Sequence, residues 1–249
     1  MDLRRACSSF SFLLAVAGVW IIFYAGAKSE LNAAMDVLVL FKYSIEASGV
    51  NTLYLLFCVL PYTTSFCTEW SSHYLKSVVI RIGPVKYALS KLVACALSSA
   101  LAVMLGISIF ILSFLARLPL VSTTAPNYKV FTRTLGGEFL QNGPHIAYFA
   151  LYILLLSLAG AFWATVGLCA SAYLPNKFVA LFTPYIGMFA LSLLTSGLPP
   201  YLQINRITRT GVNMGGTFAS LLYSVFFIGI LFAGIGFLFV TKIKKRVSE

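Results

Sequence analysis

The chain has 249 residues, of which 59% are hydrophobic and 10% charged, with a mean hydropathy of +0.90. Soluble domains carry about 25% charged residues, so a water-facing globular fold is excluded and the chain reads as an integral membrane protein. The net charge of +11 would suggest nucleic acid in a soluble protein; here it reads as the basic loop charge that orients membrane helices, and no nucleic-acid partner is expected.

Long runs of Leu, Phe, Ala and Ile predict helices rather than the alternating strands of a membrane barrel. The fold class is therefore all-α and polytopic. A crossing helix needs about 20 mostly apolar residues. The first candidate, 10–26, follows the basic start MDLRR. The AGA at 25–27 resembles a signal-peptidase site, but an apolar run of about 17 residues is longer than the h-region of a signal peptide, which predicts a retained helix. The next connection holds VLVLF at 37–41 and then Lys42, predicting an interfacial or re-entrant helix. The second candidate, 53–66, is short and contains Pro61 and several threonines. The third, 92–115, is long and clean. A polar segment at 117–145, with Gly136-Gly137 and NGP at 142–144, predicts a folded loop. The fourth candidate is 146–174. The fifth, 178–194, has Pro184 as an expected kink, and the sixth is 218–241. Proline is tolerated in a span where neighbours satisfy the freed carbonyl. Between the last two, 197–216 has Pro199-Pro200 and Gly215-Gly216, turns on both sides of a short amphipathic piece.

Basic residues orient these six spans. With the N-terminus inside, the inner segments hold eleven: Arg4, Arg5, Lys76, Arg81, Lys86, Lys91, Lys177, Lys242, Lys244, Lys245 and Arg246. The longer outer segments hold seven: Lys28, Lys42, Arg117, Lys129, Arg133, Arg206 and Arg209. Both termini are thus expected in the cytoplasm, consistent with an even number of spans. The cysteines Cys7, Cys58, Cys67, Cys95 and Cys169 show no metal-ligand spacing and are expected as free thiols.

The segment 67–92, CTEWSSHYLKSVVIRIGPVKYALSKL, lies between two apolar runs in a chain where charge is scarce. Over 70–82, Trp70, Tyr74, Leu75, Val78, Val79 and Ile82 predict one apolar face of an amphipathic helix. Gly83 suits its C-terminal cap and Pro84 the first turn of the next helix. Lys86 and Lys91 are expected to anchor the third span near the interface. Two explanations of such a helix stay open. It lies on the membrane, cations toward anionic headgroups, or it is a handle for a cytoplasmic partner, linked through Gly83-Pro84 to a long span.

Six spans, cytoplasmic termini, and Phe66, Glu69, Tyr74, Leu75, Gly83-Pro84 and Lys91 between the second and third resemble the permease subunits of ABC exporters of the type-2 permease family. The Gly-Pro departs from the more usual Pro-containing basic turn. The resemblance covers nearly the whole chain in architecture and implies a half-channel. It would pair with a second permease chain, as homo- or heterodimer, and bind two ABC ATPase subunits that carry ATP and Mg. It makes 70–82 the coupling helix, with Glu69, Trp70, His73, Tyr74, Lys76, Arg81, Gly83 and Pro84 as coupling residues. It makes Met1 to Ser9 a reduced connecting helix, 197–216 an outer re-entrant piece, and the first and fifth spans the dimer seam. Small relatives of this kind export amphipathic peptides or antimicrobial compounds. The locale implied is the plasma membrane of a prokaryote.

No cofactor is expected in this chain. It has no G-x-x-x-x-G-K-[ST] loop to cradle phosphates, no H-E-x-x-H and no G-x-S-x-G, so it is not read as an enzyme and ATP hydrolysis would belong to a separate subunit. The predicted spans contain no ionisable residue, which disfavours an ion-coupled carrier. The aromatics Tyr54, Tyr62, Phe66, Tyr152, Phe162 and Trp163 are candidates for lining a cavity. The competing readings are a membrane immunity or binding protein acting without an ATPase, and a secondary carrier.

Overall fold

The computed structural model describes residues 2–31, 33–46, 52–72, 74–125, 127–209, 211–212 and 214–248, without the side chains of Asp2, Tyr74, Leu75, Lys76, Ser77, Asn142, Val247 and Ser248. Every regular element among the described residues is helical. Besides short 3-10 turns at Lys28–Glu30 and Pro200–Leu202, in chain order they are α1 (Asp2–Cys7), α2 (Phe10–Ala27), α3 (Val37–Glu46), α4 (Tyr54–Val59), α5 (Ser65–Ser71), α6 (Tyr74–Ile82), α7 (Pro84–Leu115), α8 (Tyr128–Phe131), α9 (Gly137–Asn142), α10 (His145–Tyr173), α11 (Lys177–Thr195), α12 (Ile204–Arg209) and α13 (Thr217–Ser248).

Five of them, α2, α7, α10, α11 and α13, are long and apolar enough to cross a membrane. Local chemistry sets their ends. The Ser9 hydroxyl accepts from the Phe12 N–H at 3.2 Å and starts α2. Asn176 Oδ1 accepts from the Phe178 N–H at 2.9 Å and starts α11. Caps of this kind are worth about 1 kcal/mol each. Gly83, at φ +87°, separates α6 from α7, and Pro84 opens α7, as the Gly-Pro pair predicts. Only glycine takes that backbone angle without strain.

The second predicted span, 53–66, is not one helix. It is divided between α4 and α5. Pro61 has no N–H to give to the Phe57 carbonyl, which accepts from Leu60 instead at 3.2 Å. Further turn bonds, from Thr63 N–H to Val59 and from Ser65 N–H to Tyr62, carry the chain across the break. The third predicted span is longer than expected, because α7 starts at Pro84 and not at residue 92.

The most buried long helix is α10, which packs against α7, α11, α13 and α4. On its other side α7 carries α2 and α1. In lipid there is no hydrophobic drive between helices, so close approach through small residues matters. A methyl group on Gly106 of α7 would sit 2.7 Å from Val19 Cβ and 3.0 Å from the Val16 carbonyl of α2. By contrast, α11 and α13 are mostly uncovered, with Phe178, Ile186, Leu193, Phe218, Phe226 and Phe237 exposed. Such surface suits lipid or another apolar chain, not water.

The VLVLF helix, α3, is buried rather than interfacial, with Val37 to Lys42 all enclosed. Asp36 caps it: Oδ1 accepts from the Val39 N–H and Oδ2 from the Ser122 N–H, both at 2.8 Å. The Val37 and Leu38 N–H groups donate to the carbonyls of Pro119 and Leu120. Its first turn is thus tied to the chain leaving α7. The 197–216 segment contains the short helix α12, tucked against α10 and α11 with Ile204 and Ile207 buried.

Candidate functional site

The sequence places Glu69 and Lys91 22 positions apart. The fold brings them together. Glu69 lies on α5, whereas Tyr87 and Lys91 lie one turn apart on α7, on the same face. Lys91 donates to Glu69 Oε1 and, at 2.6 Å, to the Tyr62 hydroxyl. The Tyr87 hydroxyl donates to Glu69 Oε2 at 2.6 Å. The ammonium also lies 4.8 Å from the Tyr62 ring centroid and 5.6 Å from that of Tyr87. The lysine side chain is 2% exposed and the glutamate 13%. The expectation that Lys91 anchors a span at the interface is therefore corrected: its charge is enclosed, because Glu69 and two tyrosines replace the water it would otherwise need.

This clasp brackets α6. The chain leaves α5 at Ser71, runs through α6, turns at Gly83, and returns to the clasp at Tyr87 and Lys91. Both ends of the α6 segment are pinned to α7. The seating of α6 differs in part from the expected face. The helix starts at Tyr74, so Trp70 is not on it; Trp70 lies in the last turn of α5 and stacks on Phe66 at 6.2 Å. The Arg246 guanidinium of α13 lies 4.4 Å from the Trp70 ring. Val79 is buried, as expected, but Ile82, the last residue of α6, is 53% exposed. Ile80 is 82% exposed and Arg81 is also exposed. His73 lies outside the described residues, as do the side chains of Tyr74 and Lys76.

Beside the clasp is a hollow of about 710 Å³, bordered by Arg4, Arg5, Glu69, Lys86, Tyr87 and Lys91, among others. A smaller one of about 160 Å³ shares Arg5 and Glu69 and reaches Tyr62. Of the aromatics proposed as cavity lining, Tyr62 borders this second hollow. The others are packed core. Tyr54 meets Phe23 edge-on, Phe66 meets Phe239, and Phe162 meets Trp163, all fully or nearly buried. Tyr152 instead holds a second buried lysine.

That lysine is Lys42, 1% exposed on α3 at the opposite end of the body. It donates to the Tyr152 hydroxyl at 2.7 Å and sits 4.0 Å from the Tyr152 ring centroid and 5.4 Å from that of Tyr148. The Tyr152 hydroxyl in turn donates to the Leu135 carbonyl at 3.1 Å. Sequence reasoning placed Lys42 in a loop and overlooked Tyr87. For Tyr87, the available signal was its i, i+4 spacing from Lys91, which puts both on one face of a helix. For Lys42, the signal was its position inside an apolar run.

No protein family, curated protein or solved structure matches this chain.

Proposed function

We propose that this chain is the membrane-spanning permease subunit of an ATP-driven ABC exporter in a cell membrane. In this reading the broken α4–α5 element completes six crossings with the five long helices. Both termini are cytoplasmic, and two permease chains with two ATPase subunits form the transporter. The cargo is amphipathic, a peptide or antimicrobial compound. The observation that carries the reading is the Glu69–Lys91 clasp around α6. The clasp ties α5 to the first turns of the 32-residue α7 on either side of α6, so motion of α6 would be passed to α7. A partner gripping the exposed Ile80 and Arg81 would tilt α7, and α7 packs directly on α2 and α10. The ATPase would supply ATP and Mg chemistry; α6 would supply the mechanical connection.

The test uses the chain co-expressed with a P-loop ATPase encoded beside it. Arg81→Glu and Ile80→Ser alter side chains that already face outward, so insertion should be unchanged. The expected result is loss of ATPase co-purification or of cargo-stimulated hydrolysis in detergent. Unchanged binding and hydrolysis would leave α6 as a membrane anchor only. Orientation is read separately: Arg81→Cys and Lys244→Cys should label from the cytoplasm, and Ser29→Cys and Thr123→Cys from outside. All four positions are exposed. The reverse pattern would overturn the proposed topology.

A further inference from the structure

The larger hollow beside the clasp has an unbalanced charge. Four cations border it, Arg4, Arg5, Lys86 and Lys91, against one carboxylate, Glu69. Glu69 and Lys91 neutralise each other. Arg4, Arg5 and Lys86 remain, and among the described residues their side chains make no hydrogen bond or ion pair. They come from two elements distant in sequence, α1 and α7, which the fold packs together. Lys86 also belongs to the first turn of α7, whose N–H groups lack helical acceptors and leave positive charge at that end.

The walls are not only polar. Val78 and the half-exposed Ile82 line one side. Exposed apolar residues also lie on the two long helices that continue from the basic residues: Phe10, Leu13 and Leu14 on α2, after Arg4 and Arg5, and Leu89, Val93 and Leu97 on α7, after Lys86. A headgroup in the hollow would have its acyl chains on these surfaces. A bare anion would use the cations and leave the apolar path empty.

We propose that this hollow binds the phosphate headgroup of an anionic phospholipid. The site uses the membrane reading of the chain but not the exporter reading. Arg4, Arg5 and Lys86 supply the charge, and Val78 and Ile82 seat the glycerol end of the chains. The Glu69–Lys91 pair forms the floor and prevents Glu69 from repelling the phosphate.

The experiment takes the full chain in non-ionic detergent, without any ATPase, so its outcome is independent of transport. Phosphatidic acid, phosphatidylglycerol and phosphatidylcholine are added in turn, and retained lipid is counted by native mass spectrometry. One anionic lipid per chain is expected to be retained, and no phosphatidylcholine. Arg5→Gln with Lys86→Gln should weaken retention about twenty-five-fold, at about fivefold per basic residue. Lys28→Gln with Lys129→Gln removes the same charge from exposed positions elsewhere and should leave retention unchanged. Ile82→Ser should weaken the lipid as well. Unchanged elution on size exclusion verifies that the variants fold. Equal loss in both charge pairs, or equal retention of phosphatidylcholine, would overturn the site. Competition by inorganic phosphate at the lipid's own affinity, with Ile82→Ser silent, would overturn the lipid assignment in favour of free phosphate.

Discussion

The two ends of the helical body each bury a lysine, and they do so by different means. Lys91 has a carboxylate, two tyrosines and a position between three elements. Lys42 has no carboxylate within ion-pair distance among the described residues; it has one hydroxyl and two aromatic faces. An ion pair joins parts of the chain that must stay together, here α5 and α7 around α6. The hydroxyl and aromatic faces around Lys42 join α3 to α10, but they leave no buried carboxylate behind if the cation is removed. The first arrangement fails badly when one partner is lost. The second tolerates removal of the cation itself.

The largest expected effect is at the clasp. Glu69→Gln leaves a nearly inaccessible ammonium without its anion, which typically costs about 3–5 kcal/mol. Unfolding of the purified chain in detergent, by heat or by a denaturing surfactant, reads this directly. Adding Lys91→Met to Glu69→Gln should recover most of the loss, because a buried pair replaced by apolar or neutral groups of similar volume is often neutral. A double variant as unstable as Glu69→Gln would show that the lysine matters for something other than its charge.

Lys42 should behave in the opposite way. Lys42→Met removes a buried charge and leaves the Tyr152 hydroxyl bonded to the Leu135 carbonyl. Stability is expected to stay within about 1 kcal/mol of the parent, or to rise. Lys91→Met alone leaves the partly exposed Glu69 without its cation but still bonded to Tyr87, and should lose about 1–3 kcal/mol. Equal costs for the two lysine variants would erase the distinction drawn between the ends. Helix packing gives a reference between these extremes. A methyl group on Gly167 of α10 would lie 2.5 Å from the Ala180 carbonyl of α11, and backbone cannot rotate away. Gly167→Ala should therefore cost about 1–3 kcal/mol, through separation of the two helices.

The difference between the ends also explains what the sequence made legible. Long apolar runs bounded by Ser9, Asn176 and Gly83-Pro84 specify their helices locally, so α2, α7, α10, α11 and α13 could be read in advance. The break within 53–66 is not legible from hydropathy, which averages over Pro61, whereas the backbone cannot. The apolar VLVLF was seen, but whether its helix floats at an interface or is enclosed depends on Asp36 reaching Ser122, 86 residues away. Glu69 and Lys91 were each noticed, as parts of a resemblance. Their pairing needed the return of α7 alongside α5, which no local pattern encodes. The hollow needed more still, since Arg4 and Lys86 meet only when α1 packs on α7.

One substitution applied at both ends sharpens the comparison at its smallest scale. Tyr152→Phe keeps the ring under Lys42 but removes its one polar partner among the described residues, and takes the donor from the Leu135 carbonyl. Leaving a buried charged donor unsatisfied should cost about 2–3 kcal/mol. Tyr87→Phe at the clasp also removes a bond between a hydroxyl and a charged group, here donated by the hydroxyl to Glu69 and 2.6 Å long. Here the loss is shared. Glu69 keeps Lys91, Lys91 keeps Tyr62, and the ring of Tyr87 remains in place. Moreover, Glu69 is partly exposed, so water can replace the missing donor. The expected cost is about 1 kcal/mol, at the level of an ordinary hydrogen bond. Measured side by side in one detergent, Tyr87→Phe should be the milder variant. If it is instead the more damaging one, Tyr87 holds the glutamate in position for Lys91, and the clasp acts as a single network whose bonds cannot be removed one at a time.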